Sequence, residues 1–147
     1  MVRVPGEWDE AAGVLTLPSG RRVRGRAWWR LPPGPAPDLG IYLLAREPRA
    51  PAWESRWVRW RDFALPADPA RLHTVLVQAW DRAATERVEV ACRGGFGRTG
   101  TALACLAVLD GVPAEDAVAF VRAGYRARAV ETRAQAQFVL RFAAGVT

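Results

Sequence analysis

Residues 88–109 constrain this chain more than any other stretch. Val88-Glu-Val-Ala91 has the composition of a short strand, Cys92-Arg-Gly-Gly-Phe-Gly97 follows with three glycines, and Thr99 to Leu109 is almost wholly apolar. A strand, a glycine-rich loop and a helix buried on most sides form the central unit of an α/β fold. In such sheets ligands bind beyond the carboxyl ends of the strands. The chemistry of the chain is therefore to be sought around residue 92.

The remainder supplies elements to pack around that unit. Val14 to Leu17 and Arg22 to Arg26 flank Pro18-Ser-Gly20 with alternating polarity, which predicts an N-terminal β-hairpin within residues 12–30. Residues 31–37 hold four prolines and a glycine and read as an extended connection. Leu39 to Ala45 reads as a strand and residues 47–52 as a proline-rich loop. Ser55 to Trp60 alternates weakly, as a strand does, but Trp53, Trp57 and Trp60 also fit helical spacing, so both readings stay open. Asp68 followed by Pro69 predicts a helix start, with a capping side chain and then a ring of preset φ. Leu72, Val75, Leu76, Ala79, Trp80 and Ala83 then share one helical face. Further helices are expected over Pro113–Ala123, ended by Gly124, and over Thr132–Ala144.

Length and composition fit this picture. With 147 residues the chain is the size of one domain, residues 1–147, and half of it is apolar. A domain of that size buries about 70% of its unfolded surface without staples. The longest apolar run, Ala102 to Leu109, is far short of the roughly 20 residues a membrane span needs, so no membrane is expected. The first nine residues hold no apolar stretch of secretory type, which makes a cytoplasmic location the expectation. All 21 basic residues are Arg, against 15 acids. A net charge of +6 favours anionic partners in general. Arg21, Arg22, Arg24, Arg26 and Arg30 crowd one segment, which reads as a solvated face. Nucleic acid is not expected as a partner, because no nucleic-acid motif accompanies the charge. Two cysteines and one histidine give no metal-ligand spacing, so neither metal nor cofactor is expected. His73, among polar neighbours, reads as a surface residue.

The loop itself can bind an anion. Gly94, Gly95 and Gly97 let it curl tightly, because glycine tolerates positive φ. Consecutive N–H groups, those of Phe96 among them, can then point inward as a nest, to which the start of the buried helix adds partial positive charge. Arg98 carries a planar fork that matches two phosphate oxygens. Cys92, at the strand end, sits at the floor of this cup. Positive surroundings favour its thiolate, and a thiolate beneath a bound phosphate is an in-line nucleophile. The plainer alternative is a strand-to-helix turn with a buried cysteine.

Cys92-x5-Arg98-Thr99 resembles the signature loop of the protein tyrosine phosphatase superfamily. Upstream, Trp60-Arg-Asp62-Phe-Ala-Leu-Pro66 is similar to that family's mobile acid-bearing loop, and Val130-Glu-Thr-Arg-Ala-Gln135 is similar to its glutamine loop. The resemblance runs from residue 60 to residue 139. It implies a phosphatase-like α/β fold, with a central, mostly parallel sheet flanked by helices behind the N-terminal hairpin. It further implies a compact prokaryotic or dual-specificity-like enzyme that hydrolyses phosphate monoesters of phosphorylated proteins or small phosphate esters. Phosphate, vanadate or sulfate would bind in the loop. By the same resemblance Cys92 forms a phosphocysteine and Asp62 is general acid, then general base. Arg98 and the N–H groups of residues 93–98 hold the phosphate oxygens, Thr99 donates to the departing sulfur, and Gln135 orients water. The histidine that usually precedes the cysteine is Ala91 here, and Arg61 replaces the acid loop's usual proline. Ala91 motivates a second reading, a catalytically weak phosphate-binding module that recognises phosphorylated partners.

Some residues keep two readings. Asp62, among Trp60, Phe63 and Leu65, is either a partly buried acid or a turn residue. Gln135 points inward with Phe138, Val139 and Phe142, or else only closes a capping box with Thr132. Arg93 adds positive potential for a highly charged substrate or is merely solvated. Phe96 is a pocket rim or packs under a neighbouring loop. Cys105 reads as core, with a resolving thiol for oxidised Cys92 as the alternative.

Overall fold

Residues 8, 9 and 11–143 are described by a computed structural model. The leader reading of the first residues, up to residue 7, and the expected last helical residue, Ala144, lie outside them. The element order is β1 (Val14–Thr16), β2 (Arg22–Ala27), β3 (Leu39–Leu44), β4 (Glu54–Arg59), α1 (Pro69–Arg82), β5 (Val88–Cys92), α2 (Gly97–Leu109), α3 (Ala114–Gly124) and α4 (Arg133–Ala143).

The five strands form one sheet in the order β1-β2-β5-β3-β4. The hairpin β1–β2 is antiparallel, and β2–β5, β5–β3 and β3–β4 are parallel. The expected hairpin and mostly parallel sheet are both present. Gly20, at φ +95, makes the turn between β1 and β2. The stretch left open between strand and helix is β4, which pairs Val58 with Leu43 of β3. The helical spacing of its tryptophans is fortuitous, because their ring nitrogens go separate ways. Trp53 Nε1 donates to Tyr42 Oη, Trp57 Nε1 to Leu44 O and Trp60 Nε1 to Ala64 O. At the start of α1, Asp68 Oδ1 accepts from Arg71 N at 3.1 Å, and Pro69 is the first helical residue.

Alternation along the strands divides the sheet into two unlike faces. Val23, Ile41, Leu43, Val58, Val88 and Val90 pack into one buried cluster with Leu72 and Leu76 of α1, Leu103 and Leu106 of α2 and Val139 of α4. Helix α2 is buried over almost its whole length at the centre of this layer, with α1, α3 and α4 around it. That explains why its sequence lacks a polar stripe.

The opposite face is polar and covered by tryptophans, which corrects one expectation. Arg24 and Arg26 do not lie on a solvated face; they are 4% and 5% exposed. Strand β2 is interior, so these side chains project from the sheet beside Glu89 of β5, which is fully buried. Arg26 Nε donates to Glu89 Oε1 at 2.8 Å and Arg26 Nη2 to Oε2 at 2.9 Å, while Arg24 also grips Oε1. Tyr42 Oη donates to Oε2 at 2.8 Å. The Arg24 guanidinium lies 4.2 Å from the ring centre of Trp8, and Trp28 meets Tyr42 edge to face at 4.8 Å. His73 is likewise not a plain surface residue. It is half-buried, its ring 5.0 Å from that of Phe142.

This network gives stability a pH dependence. Burial alone would raise the Glu89 carboxyl, but hydrogen bonds and charge from Arg26 and Arg24 hold it below its ordinary 4.5. Hydrogen bonds from Arg82 and Arg56 hold exposed Glu54 at about 2. A carboxyl whose folded pKa is depressed binds fewer protons folded than unfolded. Its stabilisation is therefore complete above the ordinary value and is lost as pH falls through the folded one. The urea midpoint is expected to stay level above the carboxylate range and to drop between pH 4.5 and about 2. A midpoint that rises over that interval would contradict the assignment.

Candidate active site

Cys92 ends β5, which lies between β2 and β3, so the thiol sits at the carboxyl edge in the middle of the sheet. It is 2% exposed. The chain then curls back over it, and Gly95 N–H donates to Cys92 Sγ at 3.2 Å. The curl requires glycine at residue 95, where φ is +78 and a Cβ would stand 2.8 Å from Ala27 N. The loop thus rests directly on the end of β2, where Trp28 N–H donates to Cys92 O at 2.7 Å.

Helix α2 begins at Gly97, and Phe96 at its N-cap position makes no side-chain cap. The first N–H groups of a helix have no partner within it, so here they remain for the loop to use. Gly100 N–H closes the first turn on Phe96 O at 2.9 Å. Val130, a β-branched residue at φ +65, donates its N–H to the same oxygen at 3.2 Å. Gly100 admits that close approach, since a Cβ there would lie 2.7 Å from Ala129 Cβ and Val130 N. Left-handed backbone at such a residue costs about 1–3 kcal/mol and persists only where the surroundings enforce it.

Arg98 lies on the first turn of α2 and is 3% exposed. Its Nη1 donates to Trp60 O at 2.9 Å, and its Nη2 lies 3.7 Å from Asp62 Oδ1. The segment expected to bear an acid therefore meets the loop through this one guanidinium. Arg98 Nε and Thr99 Oγ1 are buried and make no hydrogen bond with any described residue. Thr99 makes no hydrogen bond to the thiol. Asp62 does not have the partial burial its apolar neighbours suggested; its side chain is 51% exposed. Trp60 is fully buried, but Phe63 at φ +60 turns the chain outward and is itself exposed.

Gln135 fulfils both of its readings in part. Its Oε1 accepts from Glu131 N at 3.0 Å and Thr132 N at 3.2 Å, while Thr132 Oγ1 accepts from Gln135 N at 3.0 Å, a reciprocal cap. The side chain is fully buried, and Nε2 lies 3.5 Å from Ala64 O, on the Asp62 segment. Arg93 and Gly94 are exposed at the loop's outer edge. Phe96 is half-buried, with the Arg126 and Arg128 guanidinia 5.1 and 5.4 Å from its ring centre. Cys105 stands eight residues into α2 from Gly97, about 12 Å along the axis at 1.5 Å per residue. It is fully buried in the apolar core, which pushes its thiol pKa up. Its placement is that of a core residue.

A cleft of about 350 Å³ adjoins this arrangement at Asp62, Arg93 and Arg98 and is walled by Trp28 and by Leu44 to Pro48; Cys92 itself does not line it. Main-chain N–H groups, a helix start and a guanidinium around a sulfur can receive an oxyanion and set it against a nucleophile. Among the described residues no three His, Cys, Asp or Glu side chains gather to hold a metal, and no helix is long and apolar enough to cross a membrane. Four participants escape a reading by residue type. They are the Trp60 carbonyl, the Trp28 ring, the wall after β3 and Tyr125, whose Oη donates to Gly95 O at 2.7 Å.

The family model for protein-tyrosine phosphatases matches residues 45–144. Two uncharacterized proteins of Methanocaldococcus jannaschii are similar over short stretches. One is 49% identical over 55 residues, covering 37% of this chain and 36% of that protein. The other is 44% identical over 57 residues, covering 39% and 35%. The chain thus spans about a third of the length of these curated relatives. Among solved structures, Tk-PTP in its active form has a TM-score of 0.61 at 25% identity, covering 72% of this chain and 77% of its own. Kinase associated phosphatase with its catalytic cysteine replaced by serine has a TM-score of 0.70 at 14% identity, covering 94% and 98%. PTPMT1 in complex with PI(5)P has a TM-score of 0.55 at 15% identity, covering 73% and 76%. The last two are likenesses of fold.

Proposed function

The chain belongs to the protein-tyrosine phosphatase family, and from that premise we propose that it hydrolyses phosphate monoesters through a phosphocysteine on Cys92, with Asp62 as general acid and then base. The observation that carries the reading is the meeting of Arg98, six residues after the thiol, with the Asp62 segment at Trp60 O and Asp62 Oδ1. In the first step the Cys92 thiolate forms an S–P bond, the P–O bond to the leaving group breaks, and Asp62 gives that oxygen its proton. In the second, water attacks phosphorus, Asp62 takes its proton, and the S–P bond breaks with its electron pair returning to sulfur. Arg98 Nε, the loop N–H groups and the start of α2 hold the phosphate oxygens through both steps. Thr99 Oγ1, a buried donor with no partner among the described residues, serves the departing sulfur. Gln135 Nε2 orients the water. No step calls for a metal.

Aryl phosphates such as phosphotyrosine suit the site best, because Trp28, Leu44 and Pro48 supply apolar walls beside the cationic floor. Residues 1–147 act as one domain in this reading, since β2, ahead of the family match, pairs with β5 and supports the loop. The weak-binder reading rests on Ala91, which leaves no imidazole beside the thiol; Gly95 N–H supports the sulfur in its place.

The test is turnover of p-nitrophenyl phosphate by wild type and Asp62→Asn. The wild type is expected to turn over, and the variant to lose about 10²-fold or more in kcat. Phosphopeptide binding without turnover in the wild type would instead establish the weak binder.

A further inference from the structure

Two cavities flank the glycine-rich loop. The cleft with Asp62, Arg93 and Arg98 lies on one side. On the other lies a cavity of about 570 Å³ that Tyr125 lines together with Gly25, Gly94 and Phe96. Tyr125 follows α3, and its phenol crosses to the loop from this second side to donate to Gly95 O at 2.7 Å. A trans peptide holds its C=O and its N–H in opposite directions. Drawing the Gly95 carbonyl toward Tyr125 therefore turns the Phe96 N–H away from that phenol. That N–H makes no hydrogen bond with any described residue. The neighbouring Gly95 N–H already points at Cys92 Sγ. A peptide that leaves a glycine has wider rotational freedom than most, so an outside contact helps to choose its direction.

We propose that Tyr125 is a positioning residue that aims the Phe96 N–H at the phosphate, an inference that rests on the phosphatase reading above. Two further observations support it. Burial pushes the phenol well above its ordinary pKa of 10, so it stays a donor throughout the working range. The ring is seated by a matching vacancy in β2, because a Cβ on Gly25 would stand 2.7 Å from Tyr125 Cε1 and Cζ. An alanine there would push the ring off the loop while leaving its hydroxyl in the protein.

The experiment compares wild type, Tyr125→Phe, Gly25→Ala and the double variant. It measures p-nitrophenyl phosphate kinetics, inhibition by orthovanadate and melting temperature. Tyr125→Phe is expected to lower kcat about tenfold or more with KM little changed, the mark of an interaction made in the transition state. Orthovanadate inhibition should weaken by the same factor, a quantity that a smaller fraction of folded enzyme does not alter. Gly25→Ala should reproduce the defect, and the double variant should be no worse than Tyr125→Phe, because both act through one contact. Wild-type kcat and orthovanadate affinity in Tyr125→Phe would overturn the proposal. So would a lower melting temperature with wild-type orthovanadate affinity, which is the signature of a structural role. A wild type that neither turns over nor binds orthovanadate would remove the phosphatase reading and this inference with it. An active wild type unaffected by Tyr125→Phe removes the inference alone.

Discussion

Cys92→Ser is expected to abolish turnover of p-nitrophenyl phosphate, by about 10⁴-fold or more, while inorganic phosphate still binds. The asymmetry follows from the division of labour in the cup. In the proposed mechanism the sulfur supplies the bond to phosphorus, and a serine hydroxyl, far less acidic than a thiol, is a much poorer nucleophile in its place. The groups proposed to hold the anion, which are the N–H groups, Arg98 Nε and the start of α2, are untouched by the change. Loss of a nucleophile that works in concert with other groups typically removes nearly all of the chemical acceleration and leaves binding behind. Two measurements suffice: steady-state turnover, and phosphate affinity by calorimetry. Undiminished turnover in the serine variant would end the phosphocysteine mechanism.

The second large effect concerns the fold. Glu89→Ala leaves the Arg24 and Arg26 guanidinia, 4% and 5% exposed, without the buried carboxylate both of them grip. Breaking a buried ion pair from one side costs about 3–5 kcal/mol, because the remaining charge is stranded out of water. Native domains are stable by about 5–15 kcal/mol, so this single change consumes a large part of the total. The Tyr42 hydroxyl loses its acceptor as well. Urea unfolding followed by tryptophan fluorescence measures the loss, and a change under about 1 kcal/mol would show that the cluster is not under load. Because Arg26 Nη1 also donates to Ala27 O and Trp28 O, where β2 meets the loop, the surviving folded variant is expected to lose activity too.

How much of this was legible depended on the range of the interaction. The strand, loop and helix over residues 88–109 could be read because their signals are local: glycines where the chain must curl, then an apolar run. The hairpin around Gly20, the Asp68 cap and the Thr132–Gln135 cap were legible for the same reason. Arg24 and Arg26 were not, because what makes them buried is a carboxylate 65 and 63 positions away, and an arginine does not advertise its partner. Asp62 misled in the other direction. Its apolar neighbours suggested cover, yet the left-handed backbone at Phe63 turns that corner outward. Trp60 contributes to the site through its carbonyl, which every residue possesses and no side-chain pattern marks. Tyr125 lies 30 positions from the carbonyl it holds, on an element whose sequence shows only a helix end.

The Arg98–Trp60 hydrogen bond has a mechanical consequence. One arm of the guanidinium is moored to the root of the corner that carries Asp62, so on the proposed mechanism the group that holds the anion and the group that gives the proton cannot travel independently. If that corner swings out to let a spent ion escape, the mooring strains or parts, and the grip on the ion slackens in the same movement. On that mechanism, discharge of the product and resetting of the donor are geared together by a single side chain.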